Sequence, residues 1–536
     1  MKVNNFLNKT FNFLKTIYCS KFFIIFILSA GFLLRLIQYL INHTLWLDET
    51  FIAINIIRSS YAELLHPLKY HNQSAPFVFL IITKFFTKTF GLSEFAFRLL
   101  PFICGVATLP IAYFLGKKFL DKKALGFFII IFSFSRFATY NTAEAKQYSL
   151  ELVISMLIIL LAYNIYEKKF NSKYIIFFGL FGIFSIWSSF SSVFVLTGTG
   201  IVLFVEYLAN RQKYKVKNFI LFLIIGLLCI LCFFAYYFLV LKDTITTKIS
   251  YNYLADLGLL PPSSIKSLKD LLWLPRMFLY SLQNPLGLAF PISDKYSIPL
   301  IFIIIQYIVI ILFFLSGIFY IFKNKKFFVS MLLFIPILLL IIFSYLNFYI
   351  LQSRLLLFTL PISYLFIAFG FLEIYNFLSN KIRKFGKLLF IIILILFLIF
   401  PVGYGILGLA RFGNTGSIQP QIRREDKPVL EFYLKNKLNE DKIYIYPSDS
   451  NNPVYMFYTE YYFGNFKNQI FIDYNYEKEN QKFIEQLKNK IDNKRLWIVF
   501  SFDSSKEKEI IDYLKRIGGT QKGFFKARAS IYLFEF

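Results

Sequence analysis

Residues 22–51, FFIIFILSAGFLLRLIQYLINHTLWLDETF, decide the fold class. The nearly unbroken apolar run from Phe22 to Ile41 is long enough to cross the hydrocarbon core of a bilayer as a helix. Lysines precede it and no small-residue cleavage site follows, so it reads as an uncleaved first membrane helix rather than a secretory signal. Where the run ends, Asp48 and Glu49 stand side by side behind Trp46. What those two carboxylates can do depends on which side of the membrane they face.

Working outward, comparable apolar runs recur. They predict membrane helices near 22–41, 94–116, 124–140, 149–166, 174–189, 190–208, 218–240, 298–321, 327–346, 355–377 and 388–409. Of the 536 residues 57% are hydrophobic and 21% aromatic, which excludes an ordinary soluble domain. The expected fold class is an α-helical polytopic membrane protein with about eleven transmembrane helices. The net charge of +27 does not indicate a nucleic-acid partner, because the lysines cluster in short links between apolar runs. The abundance of Phe, Ile, Lys, Asn and Tyr, all with A/T-rich codons, reflects genome bias and points to a bacterial source. Cys19, Cys104, Cys229 and Cys232 all fall in or beside apolar runs, which argues against a disulfide framework.

Charge sets the expected sidedness. With a cytoplasmic N-terminus the inner links are 1–21, 117–123, 167–173, 209–217, 322–326 and 379–387. They hold 22 Lys and Arg against two acids, Asp121 and Glu167, as the positive-inside rule requires. The segment PFVFLIITKFFTKTF, residues 76–90, is apolar but short and interrupted by Lys84 and Lys88. It is expected to lie in the interface, because a spanning helix there would send later basic clusters outside. An odd helix count then gathers 42–93, 141–148, 241–297, 347–353 and 410–536 on the outer face of a bacterial cytoplasmic (inner) membrane.

The chain divides into a transmembrane domain, 1–410, and a C-terminal extracytoplasmic domain, 411–536. In the latter DKIYIYP, QIFIDY, RLWIVFS and SIYLFEF read as strands. PVYMFYTEYYF, EKENQKFIEQLKNKI and KEKEIIDYLKRI read as helices. The alternation predicts a small α/β domain with a largely parallel sheet, in a lid, docking or acceptor-contact role.

Asp48 can cap a helix starting near Thr50, where free N–H groups and the dipole favour a carboxylate. It can equally serve chemistry. Successive helical residues point about 100° apart, so Asp48 and Glu49 cannot both address one point. One would be catalytic and the other structural, or a ligand to a cation. Glu144, Lys146 and Tyr148, in NTAEAKQYSLEL, form either a solvated loop or a second site returning to the face of Asp48. Arg354, in ILQSRLLLFTLP, either snorkels to headgroups or grips a specific phosphate with its planar fork. Arg98 is a weaker candidate of the same kind. His71, in YHNQSAPF, is structural or contacts substrate or a metal.

Taken in order, LWLDE, HNQSAPF, GLSEFAFRLLPFICGVATLPIAYFLGKKF, YNTAEAKQYSL and QSRLLLFTLP resemble the bacterial glycosyltransferase family 39 pattern, over roughly residues 40–360. That family belongs to the C-type glycosyltransferase superfold, with protein O-mannosyltransferases and the lipid A aminoarabinose transferase among its relatives. The resemblance implies a polyprenyl-phosphate sugar donor and chemistry on the outer face. It implies that Asp48 of the Asp48–Glu49 pair is the general base and that Glu144 is the second acidic site. Lys146 stands where the family pattern carries Arg, keeping the charge but not the bidentate geometry. HNQSAPF departs from the commoner His-Pro-Pro form.

The expected reaction moves a sugar from polyprenyl phosphate to a hydroxyl of a glycan, lipid or protein acceptor, with inversion. Asp48, Glu49 and Glu144 are the catalytic candidates. Arg354, Lys146 and Arg98 are the candidates for the donor phosphate, and Trp46, His71, Gln73 and Tyr148 for other substrate contacts. The sequence names no cofactor, leaves the metal unknown and leaves a divalent cation requirement open. A transporter or flippase for a lipid-linked substrate, and an O-antigen ligase or polymerase, are the alternatives.

Overall fold

The computed structural model describes residues 20–70, 73–242, 260–262, 267–290, 299–325, 327–351, 353–381, 383–412, 426–438, 441–446, 454, 457–462, 470–472, 495–500, 507–526 and 529–536. The helices follow the apolar runs. They are α1 Lys21–Leu40, α2 Leu47–Arg58, α3 Phe77–Phe90, α4 Glu94–Phe119, α5 Lys122–Ser133, α6 Arg136–Tyr140, α7 Tyr148–Glu167 and α8 Ser172–Ser188. After these come α9 Ser192–Ala209, α10 Val216–Tyr236, α11 Trp273–Gln283, α12 Leu300–Asn324, α13 Phe327–Tyr345, α14 Leu360–Lys381 and α15 Arg383–Phe412. Polar residues in the short links start them. The side chains of Ser93, Asp121 and Asn171 accept from Ala96, Ala124 and Lys173 N–H at 3.2, 2.8 and 3.0 Å.

Among the described residues eight helices are long and apolar enough to cross a membrane. The other three segments expected to span are a pair bent by 48°, 122–133 with 136–143, and the shorter apolar stretches Ser172–Ser188 and Leu388–Gly403. The bend has an identifiable cause. Helix α5 stops at Ser133 and α6 restarts behind the cap Ser135, which frees carbonyls deep in an apolar setting. Arg35, fully buried on α1, donates to the carbonyls of Ser133 at 3.1 Å, Phe132 at 3.4 Å and Gly31 at 3.0 Å. A cation there also suits the negative end of the α5 dipole.

Helices α12 and α14 cross almost backbone to backbone. A Cβ on Gly317 would lie 1.7 Å from the Phe366 carbonyl oxygen, and one on Gly370 1.8 Å from that of Phe313. Small residues permit such approaches where there is no hydrophobic force between helices in lipid.

The links expected inside meet at one end of the bundle. Lys118 pairs with Glu167 at 2.6 Å, Lys325 donates to the Phe119 carbonyl at 2.9 Å, and Lys123 sits over the Tyr375 ring at 4.4 Å. Helix α3, the segment expected in the interface, has 14 residues and so is about 21 Å long, short of the ~30 Å core. Its Lys84 is buried and donates to the Ile56 carbonyl at 2.5 Å, whereas Phe85 and Phe90 are exposed.

The C-terminal region adds α16 Asp426–Asn436, α17 Glu507–Arg516 and a five-stranded sheet. The strands are β1 Lys442–Tyr446, β2 Ile470–Ile472, β3 Arg495–Phe500, β4 Thr520–Lys526 and β5 Ser530–Glu535, in the order β2-β1-β3-β5-β4. The expected largely parallel sheet is in fact mixed. β1 runs parallel to β2 and β3, but β5 is antiparallel to β3 and β4. Strand β4 is not expected from its residues, because TQKGFFK is polar and glycine-bearing, and it is held by its hairpin with β5. Helix α16 is likewise unexpected. The expected helix over 477–491 lies outside the described residues.

One sheet face packs on α17 through Leu496, Ile498, Phe500, Ile510 and Leu514. The other face, with Trp497 against Phe432 and Tyr433 of α16, is continuous with the apolar core of the membrane helices.

Candidate active site

Helix α2 begins at Leu47, earlier than the Thr50 start expected, so Asp48 and Glu49 both lie in its first turn. Glu49 rather than Asp48 reaches back to the helix entrance, accepting from the Trp46 N–H at 3.1 Å. The rotation of about 100° between neighbours then separates the two carboxylates.

Glu49 is sealed. Arg98 of α4 grips it with two charge-assisted bonds, Nε to Oε1 at 2.9 Å and Nη2 to Oε2 at 2.7 Å. The Ala145 N–H adds a bond to Oε1 at 2.7 Å. Arg98 also donates to the His43 carbonyl at 2.5 Å and the Thr44 carbonyl at 3.4 Å. Both side chains are about 1% exposed or less. This corrects two expectations. Arg98 is not placed to meet a donor phosphate, and Glu49 is not placed to act on substrate. Together they fasten α2, α4 and the 141–147 link to one another.

Asp48 is open by comparison, with its side chain 20% exposed. It pairs with Nη2 of Arg354 at 2.6 Å, and Arg354 is 32% exposed. The guanidinium lies over two aromatic rings, 5.4 Å from the Trp46 centroid and 5.8 Å from that of Tyr148. Such contacts favour a cation without using its hydrogen-bond donors.

The 141–147 link turns tightly, with the Lys146 N–H bonded to the Glu144 carbonyl at 2.7 Å. It places Glu144, 2% exposed, within electrostatic reach of Lys146, Tyr148 and Arg354. Lys146 is also buried, and its ammonium donates to Gln73 Oε1 at 3.0 Å. Burial pulls its pKa down to about 8. Asp48, Glu144 and Glu49 act against that shift, and Arg354 reinforces it.

Asp48, Glu144, Lys146, Tyr148, Arg354, Trp46 and Gln73 are therefore brought together at one end of the bundle, opposite the end where the basic links meet. His71 lies outside the described residues. Among the described residues no group of three or more His, Cys, Asp or Glu is arranged to hold a metal ion. Arrangements of this kind suit a displacement at phosphate-bearing carbon. A half-open carboxylate faces two cations, with aromatic surface beside them.

Four further polar residues held inside the fold were not singled out as candidates. Arg35 carried a legible signal, a lone cation inside an apolar run. Glu151, buried on α7 and accepting from the Phe190 N–H at 3.3 Å, carried a similar one. Tyr458 and Lys427 carried none, because their partners are hundreds of residues away.

Residues 74–237 match the family described as dolichyl-phosphate-mannose-protein mannosyltransferase. ArnT from Cupriavidus metallidurans bound to undecaprenyl phosphate aligns over 96% of this chain and 98% of its own, at 10% identity and a TM-score of 0.50. The chain has the C-type glycosyltransferase fold. ArnT in the apo state aligns at 11% identity and a TM-score of 0.46, over 95% of this chain and 97% of its own. The archaeal oligosaccharyltransferase AglB from Archaeoglobus fulgidus, in complex with an inhibitory peptide and a dolichol-phosphate, aligns at 13% identity and a TM-score of 0.45. That alignment covers 96% of this chain and 74% of AglB. No curated protein sequence matches the chain significantly. In this C-type fold the family match begins just before α3 and ends after α10, so it contains Glu144, Lys146 and Tyr148 but neither Asp48 nor Arg354.

Proposed function

We propose that this chain is an inverting membrane glycosyltransferase. It moves a sugar from a polyprenyl-phosphate donor to an acceptor hydroxyl at the outer face of the bacterial inner membrane. The family match over 74–237 and the C-type fold support a glycosyltransferase that draws on a lipid-linked donor. The observation that carries the residue assignment is the Asp48–Arg354 pair, half-open and flanked by Trp46, Tyr148 and Lys146.

The donor's lipid needs hydrocarbon, while its phosphate and sugar need polar protein, and a site at headgroup depth satisfies both. The donor phosphate competes with Asp48 for the Arg354 fork. Once Arg354 holds phosphate, the Asp48 carboxylate is released to accept the proton of the attacking hydroxyl. The acceptor oxygen bonds to the anomeric carbon, the carbon–oxygen bond to phosphate breaks, and polyprenyl phosphate leaves. Arg354 and Lys146 stabilise the charge that builds on it. One base and one displacement invert the anomeric centre, by analogy with glycosidases. The basic links face the cytoplasm together with the N-terminus. The unit 411–536 is extracytoplasmic, and α3 lies in the interface.

The test separates the two members of the pair. Native membranes with the full-length chain are given undecaprenyl-phosphate sugars, and release of undecaprenyl phosphate is followed by mass spectrometry. Asp48→Asn is expected to bind donor and not transfer. Arg354→Ala is expected to lose at least about tenfold in donor affinity, the equivalent of one charge-assisted contact of ~1.5 kcal/mol. Arg354→Lys recovers part of that loss. Near-normal turnover by Asp48→Asn overturns the assignment of the base.

A further inference from the structure

The strip His43–Trp46, which delivers Asp48 to the site, is held from two sides. From within the membrane domain, Arg98 takes the carbonyls of His43 and Thr44. From the C-terminal region, the Leu45 N–H donates to the Tyr458 hydroxyl oxygen at 2.8 Å, and the Lys427 N–H donates to Thr44 Oγ1 at 3.4 Å. Both C-terminal contacts converge on Glu94, the first residue of α4. The Tyr458 hydroxyl donates to Glu94 Oε1 at 2.9 Å, and the Lys427 ammonium pairs with Oε2 at 3.0 Å.

Glu94 and Tyr458 are fully buried. Glu94 lies one helical turn before Arg98, on the same side of α4. Around them Phe457 packs edge-on against Phe97, Lys427 sits over the Tyr462 ring at 4.7 Å, and Arg58 hydrogen-bonds Tyr461. A buried carboxylate needs its partners, because an unpaired charge there is strongly unfavourable. Among the described residues, the cation and the hydroxyl that Glu94 pairs with come from the C-terminal region, from Lys427 and Tyr458.

We infer that Tyr458, Lys427 and Glu94 are positioning residues for the transfer reaction. They form a polar clamp through which the C-terminal region fixes the strip 43–46 and, with it, Trp46 and Asp48. None of the three reaches Asp48 itself. They act through the backbone that sets where its carboxylate stands, and displacements of about 1 Å there are enough to slow a reaction many-fold. This rests on the reading of Asp48 as the base, and it gives the C-terminal region a defined part in catalysis.

Tyr458→Phe keeps the ring packing and removes only the hydroxyl. With undecaprenyl-phosphate sugars as probe, it is expected to lower kcat at least about tenfold and to leave the donor KM within about twofold. Lys427→Met is expected to do the same, and Lys427→Arg to restore most of the rate. If Tyr458→Phe does not accumulate, Glu94→Gln tests the same clamp with almost no change of shape. A merely structural contact lowers thermal stability while kcat per folded enzyme stays at the wild-type value, and that result overturns the inference. Asp48→Asn is assayed alongside. If it turns over normally, the reading of the base fails. If it is inactive while Tyr458→Phe and Glu94→Gln keep wild-type kcat, only the clamp fails.

Discussion

Replacing Arg98 by Met tests whether the sealed half of the acidic pair is scaffold. The substitution keeps an unbranched side chain and removes the two bonds to Glu49, at 2.9 and 2.7 Å, and the 2.5 Å bond to the His43 carbonyl. Glu49, 0% exposed, keeps the backbone N–H groups of Trp46 and Ala145 but loses the cation it is paired with. Breaking a buried pair from one side costs about 3–5 kcal/mol, or on the order of 10²–10⁴-fold in the ratio of folded to unfolded protein. The loss should appear as a lower thermal midpoint for the purified chain in detergent. Donor affinity, measured well below that midpoint, should change little.

Glu49→Met strands the guanidinium and should cost a similar amount. The double variant Arg98→Met with Glu49→Met strands neither partner of this pair, so it should be more stable than the sum of the single losses by at least about 2 kcal/mol. A stable Arg98→Met protein with weakened donor binding would refute this reasoning and put Arg98 at the phosphate.

Three further outcomes are expected. Lys146, drawn down to about 8 by burial, is charged below that pH and neutral above it, so donor affinity should fall as pH rises through about 8. Lys146→Arg should flatten the profile, and a titration of donor binding across that range checks it. In the empty site the sign for stability is opposite. Between about 8 and 10.5 the unfolded chain holds a proton that the folded chain lacks, so stability should rise with pH across that window. For sidedness, single cysteines at Lys69 and Lys508, in a background without the native cysteines, should react with an impermeant thiol reagent in spheroplasts. A cysteine at Lys213 should react only after permeabilisation, and the reverse pattern would invert the proposed topology.

The membrane architecture was legible in the chain because its causes are local. Apolar runs long enough to span, basic links between them and capping residues such as Ser93 and Asp121 each act within a few positions. The strands around Ile443, Trp497 and Ile531 were legible for the same reason. Strand β4 and the mixed sheet were not, since pairing with β5 supplies what TQKGFFK lacks in propensity.

At the site, the residue types were visible from sequence and from resemblance, but their division of labour was not. Asp48 and Glu49 are neighbours with the same chemistry. Only the direction each takes from the first turn of α2 makes one a sealed anchor for Arg98 and the other a half-open partner of Arg354, more than three hundred residues away. The same holds for Glu94, an unremarkable helix-start acid until Lys427 and Tyr458 close over it. Sequence fixes what can be charged or apolar. Burial and long-range pairing, which exist only after the helices pack, decide which charges are used up in holding the fold and which stay available to a substrate.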